Sequence, residues 1–355
     1  MTIAIAILSI GVLVILHELG HFLMAKKFNV KVEEFGIGLP PRLFGKKYGE
    51  TIYSINALPI GGFVRMEGEE KRSDGPRSFN KKPLWQRFLI VAAGVIVFWV
   101  ISVLIFTFLG ATIGIPTAIS DNQENVVDPR VQIIGVAKDS PASKAQLQVG
   151  DTILEIGKYD VSKVIEIQEF VEQYAGKETL LKIQRGEDIL NVSLVPREDP
   201  PSGQGAIGIA LTRSGLVKYA WYEAPVQATV RTWHITGAIF EMFGVLISGA
   251  VSGEGLPAGT QISGPIGVID LLKNSFALGI PSFLSFVAVI SIYLAIFNTI
   301  PIPALDGGRM FFIVLEGIRR KPLSEKLEQR LILISFLVLI PLILWVTVQD
   351  ITRLL

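Results

Sequence analysis

Four long stretches of the chain consist almost entirely of apolar residues, and polar or charged segments separate them. They are Ile3–Met24, Phe88–Gly110, Phe283–Ile302 and Leu331–Val348. A bilayer core about 30 Å thick is crossed by roughly 20 residues of helix, so each stretch predicts a membrane-spanning helix. The first exceeds the roughly 15 apolar residues of a signal peptide and lacks a basic start. We therefore expect it to be retained as a helix.

Basic residues in the short connections predict how these helices are oriented. One group lies between the first two helices and comprises Lys26, Lys27, Lys31, Arg42, Lys46, Lys47, Lys81, Lys82 and Arg87. A second group follows the third helix and comprises Arg309, Arg319, Arg320, Lys321, Lys326 and Arg330. Short loops rich in Lys and Arg stay in the cytoplasm. Both connections are therefore predicted inside, and residues 115–220 and both termini outside.

The outer segment has the alternation of a small α+β domain. Strand-like runs are Val131–Val136, Asp151–Ile156, Thr179–Gln184 and Ile189–Val195, with helices starting at Ser140 and covering Glu166–Tyr174. The order of these elements and the turn Leu147-Gln-Val-Gly-Asp151 resemble a bacterial PDZ domain. Such domains bind peptides by adding a strand to an open sheet edge.

Two further stretches have weaker patterns. Thr51–Met66 alternates briefly and contains a Gly-rich turn, which suits either a hairpin beside the membrane or an ordinary cytoplasmic loop. Ala224–Val251 is amphipathic, and we expect it to lie on the membrane surface. Its apolar side carries Trp233, Phe240, Phe243 and Ile247, and its polar side carries Arg231, His234 and Glu241.

The predicted fold class is therefore a polytopic α-helical membrane protein with four transmembrane helices, an inserted extracytoplasmic α+β PDZ-like domain and a membrane-associated β-hairpin. Its expected parts are 1–114 with the first two helices and the hairpin, 115–215 with the PDZ-like domain, 216–281 as a membrane-surface linker, and 282–355 with the last two helices.

Composition narrows the function. Only 18% of the 355 residues are charged, against about 25% in soluble domains. With 33 Lys and Arg against 32 Asp and Glu, the chain offers no basic field for nucleic acid, which we exclude as a partner. The chain has no cysteine, which excludes disulfides, thiolate metal sites and a cysteine nucleophile. A metal would have to be held by His, Asp or Glu.

One motif inside the first predicted helix carries the chemistry, His17-Glu18-Leu19-Gly20-His21. Residues four apart share a helix face, so both imidazoles can reach one ion while Glu18 projects about 100° away. This is the pattern of zinc metalloproteases, with Glu18 as the general base. A chance match or a pair of core histidines is the alternative. It is weak here, because ionisable groups at membrane depth cost about 2.5 to 3.5 kcal/mol or more.

The third zinc ligand has two candidates. His234 falls in the amphipathic stretch, and we interpret it as a half-exposed surface histidine. Asp306 ends an apolar helix, followed by Gly307 and Gly308. His21 lies five residues before Lys26, about 7 Å along the helix, and Asp306 lies three residues before Arg309. Both therefore sit at the same depth just inside the cytoplasmic boundary, which favours Asp306.

Asn298 lies eight residues before Asp306 in the third apolar stretch. A buried amide needs hydrogen-bond partners. It could bond a substrate carbonyl or a developing oxyanion, or it could be a polar clamp between helices, and the pattern leaves both open.

Taken together, the His17–His21 motif, the PDZ-like insert and Asn298…Pro301-Ile-Pro303-Ala-Leu-Asp306-Gly closely resemble the bacterial site-2 protease family of intramembrane zinc metalloproteases, more narrowly its regulator of sigma E protease branch. Further matching segments are Phe35–Phe44, Leu58–Val64 and Ser263–Gly267. The resemblance spans nearly the whole chain. Departures are a single PDZ unit, Leu39-Pro40 where Phe-Gly is common, and Arg309 where a histidine often follows the glycines.

The resemblance implies a set of roles. Zinc would be bound by His17, His21 and Asp306, Glu18 would be the base, and Asn298 would assist substrate binding. The membrane-associated hairpin would contact substrate through Ile55, Leu58, Gly61, Gly62 and Phe63. Substrates would be single-pass membrane proteins, such as trimmed anti-sigma factors or signal-peptide remnants.

The resemblance also implies a location, the bacterial cytoplasmic membrane, with the active site near the cytoplasmic side and the lipid bilayer as a partner. The outer domain would filter substrates by size or be activated by a peptide C-terminus. The rival hypothesis is a non-enzymatic scaffold or transporter subunit with a structural metal site. A structural zinc is normally closed by a fourth protein ligand, and the sequence offers none at this depth.

Overall fold

The computed structural model describes residues 2–69, 71, 73–122, 126–186, 188–201, 203–253 and 263–354. The chain divides into two units. The first holds Met1–Ile105, Ala228–Phe276 and Phe286–Leu355, and the second holds Phe106–Gln227 and Ala277–Ser285. Residues 254–262 of the predicted linker lie outside the described residues.

Four helices among the described residues are long and apolar enough to cross a membrane. They are α1 (Thr2–Lys27), α2 (Leu84–Ala111), α7 (Ile280–Thr299) and α9 (Glu325–Leu354). Each predicted spanning stretch falls on one of them, so the four apolar helices are confirmed. α9 carries Pro341 in its interior, as helices in membranes tolerate.

The end of α7 differs from the expectation. The apolar stretch was expected to run to Ile302 with Asp306 at its end, whereas α7 stops at Thr299 and Asp306 is the first residue of α8 (Asp306–Arg319). Pro301 and Pro303 explain the break, because proline has no N–H and disfavours helical backbone in the residue before it. A Cβ on Gly307 would lie 2.5 Å from the carbonyl carbon of Thr299. The turn between the helices is therefore too tight for a side chain there.

The connection after α1 forms a sheet of two long strands, β1 (Val32–Tyr48) and β2 (Thr51–Met66), paired antiparallel. Phe35 of β1 has two partners, Tyr53 on one side and Val64 on the other. The inner part of β1 thus lies between two segments of β2, and among the described strand pairs residues 62–66 form an outer edge. A strand over residues 32–48 was not predicted, because the glycines and the Pro40-Pro41 pair in that segment disfavour strands.

Two helices precede α7: α5 (Ala224–Ser252) and α6 (Pro265–Ala277). α5 lies along α2 through buried polar contacts. Trp99 Nε1 donates to Thr236 Oγ1 at 3.2 Å, and the hydroxyls of Ser102 and Thr232 are 3.3 Å apart. The position of α5 relative to the membrane surface stays a prediction.

The second unit contains a seven-stranded sheet in the order β3-β9-β4-β5-β7-β8, with β6 paired to β5. Its strands are β3 (Ile115–Ile119), β4 (Val127–Val136), β5 (Thr152–Ile156), β6 (Tyr159–Asp160), β7 (Thr179–Arg185), β8 (Asp188–Leu194) and β9 (Ile209–Val217). Its helices are α3 (Pro141–Lys144) and α4 (Val164–Gln173). Both carboxylate oxygens of Asp121 accept hydrogen bonds from the first backbone N–H groups of α4, at Val164 and Ile165.

Candidate active site

His17 and His21 lie side by side on α1 and are both buried. Their Nε2 atoms are 3.2 Å apart. The Nδ1 of His21 lies 2.9 Å from the carbonyl oxygen of Ile90, to which it can donate its proton. This bond leaves Nε2 with a free lone pair, as in histidines that bind metals. The ring of His17 stacks on Phe98, with centroids 4.6 Å apart.

Asp306 reaches the same point from the beginning of α8. Its Oδ2 is 3.2 Å from Nε2 of His17 and 3.2 Å from Nε2 of His21. The carboxylate of Asp306 therefore faces both imidazole nitrogens.

The three atoms fit a zinc ion. They form a triangle with edges of 3.2 Å. Ligands at about 2.0 to 2.1 Å from a tetrahedral zinc lie about 3.3 to 3.4 Å apart. Among the described residues, these three form the group of His, Asp and Glu side chains that could hold one ion. Three protein ligands leave a fourth position open, as in catalytic zinc sites.

The remaining predicted site residues are distributed unevenly. Glu18 and Asn298 line one cavity of about 320 Å³ together with the three possible ligands. The amide Nδ2 of Asn298 donates to the carbonyl oxygen of Leu294 at 2.9 Å, which uses one of its two N–H groups. His234 is exposed on α5 and does not belong to the metal-binding group.

The β1–β2 sheet contributes one wall of this cavity. The wall residues from its outer edge are Phe63, Val64 and Met66. A Cβ on Gly62 would lie 3.6 Å from Cγ of Glu18, and one on Gly61 would lie 3.5 Å from Val14. The edge thus runs beside the helix that carries the motif.

The sheet residues expected to contact substrate separate into two groups. Phe63 lines the cavity, and Gly61 and Gly62 lie against α1. Ile55 and Leu58 do not line it and are about half exposed, at 52% and 50%. The contact of these five residues with substrate stays a prediction.

Gly94 of α2 was not predicted from the sequence as a site residue. A Cβ on Gly94 would overlap Nε2 of His21 and lie 2.8 Å from Cε1 of His17. Glycine is frequent in membrane helices, so a single Gly in an apolar stretch gives no distinct signal. Only the packing of α2 on α1 reveals its position.

An ion pair at the cavity was also not predicted from the sequence. Glu69 and Arg309 both line it, and Nη1 of Arg309 donates to Oε1 of Glu69. From the sequence, Arg309 was interpreted as a charge that indicates membrane orientation and as a departure from the family pattern. Glu69 was interpreted as part of a cytoplasmic loop. Nothing in their spacing linked residues 240 positions apart.

Comparisons with known proteins agree with the site geometry. The model of peptidase family M50 matches residues 5–342. A candidate zinc metalloprotease of Clostridium perfringens is 33% identical over 353 residues, covering 99% of this chain and 98% of the relative. Regulator of sigma-W protease RasP of Bacillus subtilis is 28% identical over 439 residues, covering 99% of each chain. The PDZ domain of an SdrC-like protein of Listeria monocytogenes is 23% identical, covers 23% of this chain and 85% of its own, and has a TM-score of 0.21.

Proposed function

The chain belongs to peptidase family M50, and from this premise we propose that it is an intramembrane zinc metalloprotease that hydrolyses peptide bonds within or near transmembrane segments of single-pass proteins. The observation that carries the proposal is the convergence of His17, His21 and Asp306, whose facing atoms are all 3.2 Å apart. These three residues would hold the zinc. When bound, zinc supplies a Lewis acid that polarises the scissile carbonyl and acidifies water.

Glu18 is the general base. Its side chain lines the same cavity as the ligands and is adjacent in sequence to His17. It takes the proton from the attacking water and then gives it to the leaving amine, so that the peptide bond breaks without a free hydroxide or a free amide anion. Asn298 holds the substrate by donating its remaining N–H to a backbone carbonyl.

Cleavage requires the substrate helix to unwind, because a helix uses its carbonyls in internal hydrogen bonds. The outer edge at residues 62–66 can pair with the unwound strand and keep its backbone groups bonded. Phe63 and Val64 lie on this edge and also line the cavity. Their position supports a single surface that both binds the substrate strand and forms one wall of the active site. The edge and its surrounding sheet are membrane-associated in this proposal.

The proposed location is the bacterial cytoplasmic membrane. The active site lies near its cytoplasmic side, and both termini and the outer domain are extracytoplasmic. The basic residues of the two inner connections support this orientation. Natural substrates are then single-pass proteins trimmed on the outside, such as anti-sigma factors or signal-peptide remnants.

The outer sheet domain binds peptide C-termini or restricts entry. On one side of β9, residues 209–212 pair with β4. On the other side, among the described strand pairs, β3 pairs with residues 213–217 and leaves residues 209–212 open. A half-open edge of this kind can accept a peptide strand. Replacing residues 115–217 by a flexible linker distinguishes the two roles. Cleavage of untrimmed substrates supports a filter, and loss of cleavage of trimmed ones supports activation.

The direct test is hydrolysis in a purified system. The chain is reconstituted in lipid vesicles with a single-pass substrate, and fragments are identified by mass spectrometry. Wild type should cut in or near the transmembrane segment, and a chelator should stop it. The rival scaffold or transporter hypothesis predicts bound zinc without any cleavage.

A further inference from the structure

Glu69 is held close to the end of the cavity edge. Its N–H donates to the carbonyl oxygen of Met66 at 3.3 Å, and its Oε2 accepts weakly from the Met66 N–H at 3.4 Å. Gly68 between them has a φ of +77°, and a Cβ there would lie 3.1 Å from Cβ of Ser78. The turn therefore admits only glycine, and it fixes where the carboxylate of Glu69 points.

Arg309 connects this turn to the helix that begins with Asp306. It lies three residues after Asp306, about one turn along α8. Its guanidinium pairs with Glu69, whose side chain is only 8% exposed. The pair thus joins the end of the edge segment to the helix that presents a zinc ligand.

Such a pair is costly to break. A buried carboxylate that loses its partner still carries the free-energy cost of desolvation but no longer has the attraction that offsets it. Arg309 is 40% exposed, so it is the buried carboxylate of Glu69 that makes the link resist relative movement of the edge and α8.

We propose that the Glu69–Arg309 ion pair determines which peptide bond is cut. The inference rests on the proposed function: a substrate strand lies along residues 62–66 while the zinc ligands stay fixed. Each residue of an extended strand advances about 3.3 Å and successive carbonyls point to opposite sides, so a displacement of the edge by about 6.6 Å brings the next carbonyl on the same side to the ligands. By fixing the edge to the helix of Asp306, the pair selects one bond. Glu69 and Arg309 are positioning residues and do not touch the reacting atoms.

The test compares cleavage sites in Arg309→Met, Glu69→Gln and Arg309→Lys, with Glu316→Gln as a matched control. Glu316 also lies on α8 and pairs with Arg87 at 3.0 Å, but it does not line the catalytic cavity. Each full-length variant is reconstituted with the same substrate. Products are mapped by mass spectrometry, kcat and KM are measured separately, and zinc is determined by elemental analysis.

Arg309→Met and Glu69→Gln should raise the ratio of displaced to native cuts about tenfold, the change that one charge-assisted hydrogen bond can produce. KM should rise more than kcat falls, and zinc content should stay unchanged. Arg309→Lys should restore most of the native pattern, and Glu316→Gln should keep it. Because the two substitutions remove one shared contact, their effects should not add in the double variant.

The inference is overturned if Arg309→Met cuts the same single bond as wild type with an unchanged KM. It is also overturned if Glu316→Gln raises the ratio of displaced to native cuts as much as Arg309→Met does. A loss of zinc in Arg309→Met would also overturn it, because the pair would then support the metal site itself. If wild type cuts no substrate at all, the proposed function fails and takes this inference with it. Single-site cutting by both wild type and variants rejects only the role of the pair.

Discussion

Gly94 of α2 lies so close to His21 of α1 that a Cβ on residue 94 would overlap Nε2 of the imidazole. The close approach continues at the neighbouring residue of the motif, where a Cβ on Gly20 would lie 2.7 Å from the carbonyl oxygen of Ala93. Small residues let membrane helices pack this closely. The two spanning helices therefore meet where the imidazoles face Asp306.

Gly94→Ala should reduce bound zinc. Alanine favours helix over glycine by about 1 kcal/mol, so α2 itself should not suffer. The added methyl would displace the imidazole of His21 and lower both zinc content and activity, while helicity by circular dichroism stays constant. Gly11→Ala is the control, because its Cβ would make an ordinary contact of 3.6 Å. Full zinc and activity in Gly94→Ala would show that the packing there is looser than described.

Glu18→Gln should keep zinc and lose turnover. The amide has nearly the same shape but cannot accept the water proton, and general-base catalysis contributes roughly 10²- to 10⁴-fold. Cleavage rate and zinc content are measured on the same purified sample. Turnover at the wild-type rate would mean that another group is the base.

Proline on the outer edge should weaken cleavage without unfolding the sheet. N–H groups of adjacent strand residues point to opposite sides. One of the two variants Phe63→Pro and Val64→Pro therefore removes a hydrogen bond to β1, and the other removes an N–H that points away from β1. The outward one should lower kcat/KM roughly fivefold, as expected for one hydrogen bond. Phe63→Ala and Val64→Ala control for the side chains. Undiminished cleavage by both proline variants would exclude strand pairing at this edge.

Glu50 should stabilise the β1–β2 turn in a pH-dependent way. Hydrogen bonds from Arg77 and Lys26 lower its pKa from 4.5 to about 2. A depressed pKa stabilises the fold above the unfolded value, and the contribution is lost as pH falls. In chelator-treated protein, the Tm difference between wild type and Glu50→Gln should be largest near pH 6, shrink below about 4.5 and vanish near 2. A difference that does not depend on pH would exclude the charge of Glu50 as its cause.

Local spacing predicted more of the site than of its surroundings. The helical period alone predicts that residues 17 and 21 share a helix face. The basic residues of the connections predict that Asp306 lies at the same membrane depth. The strand over residues 32–48 was not predicted, because its glycines and prolines mask it and only pairing with β2 stabilises it. Gly94, Glu69 and Arg309 act through packing between distant segments, and no local pattern encodes such contacts.

The central claim is that residues 285 positions apart share one zinc ion. It is tested most directly by elemental zinc analysis of purified wild type, His21→Ala and Asp306→Ala, with Asp270→Ala as a carboxylate outside the site. Wild type and Asp270→Ala should retain about one zinc per chain, and His21→Ala and Asp306→Ala should lose most of it. Full zinc occupancy in Asp306→Ala would contradict the account, because the carboxylate would then not be a ligand.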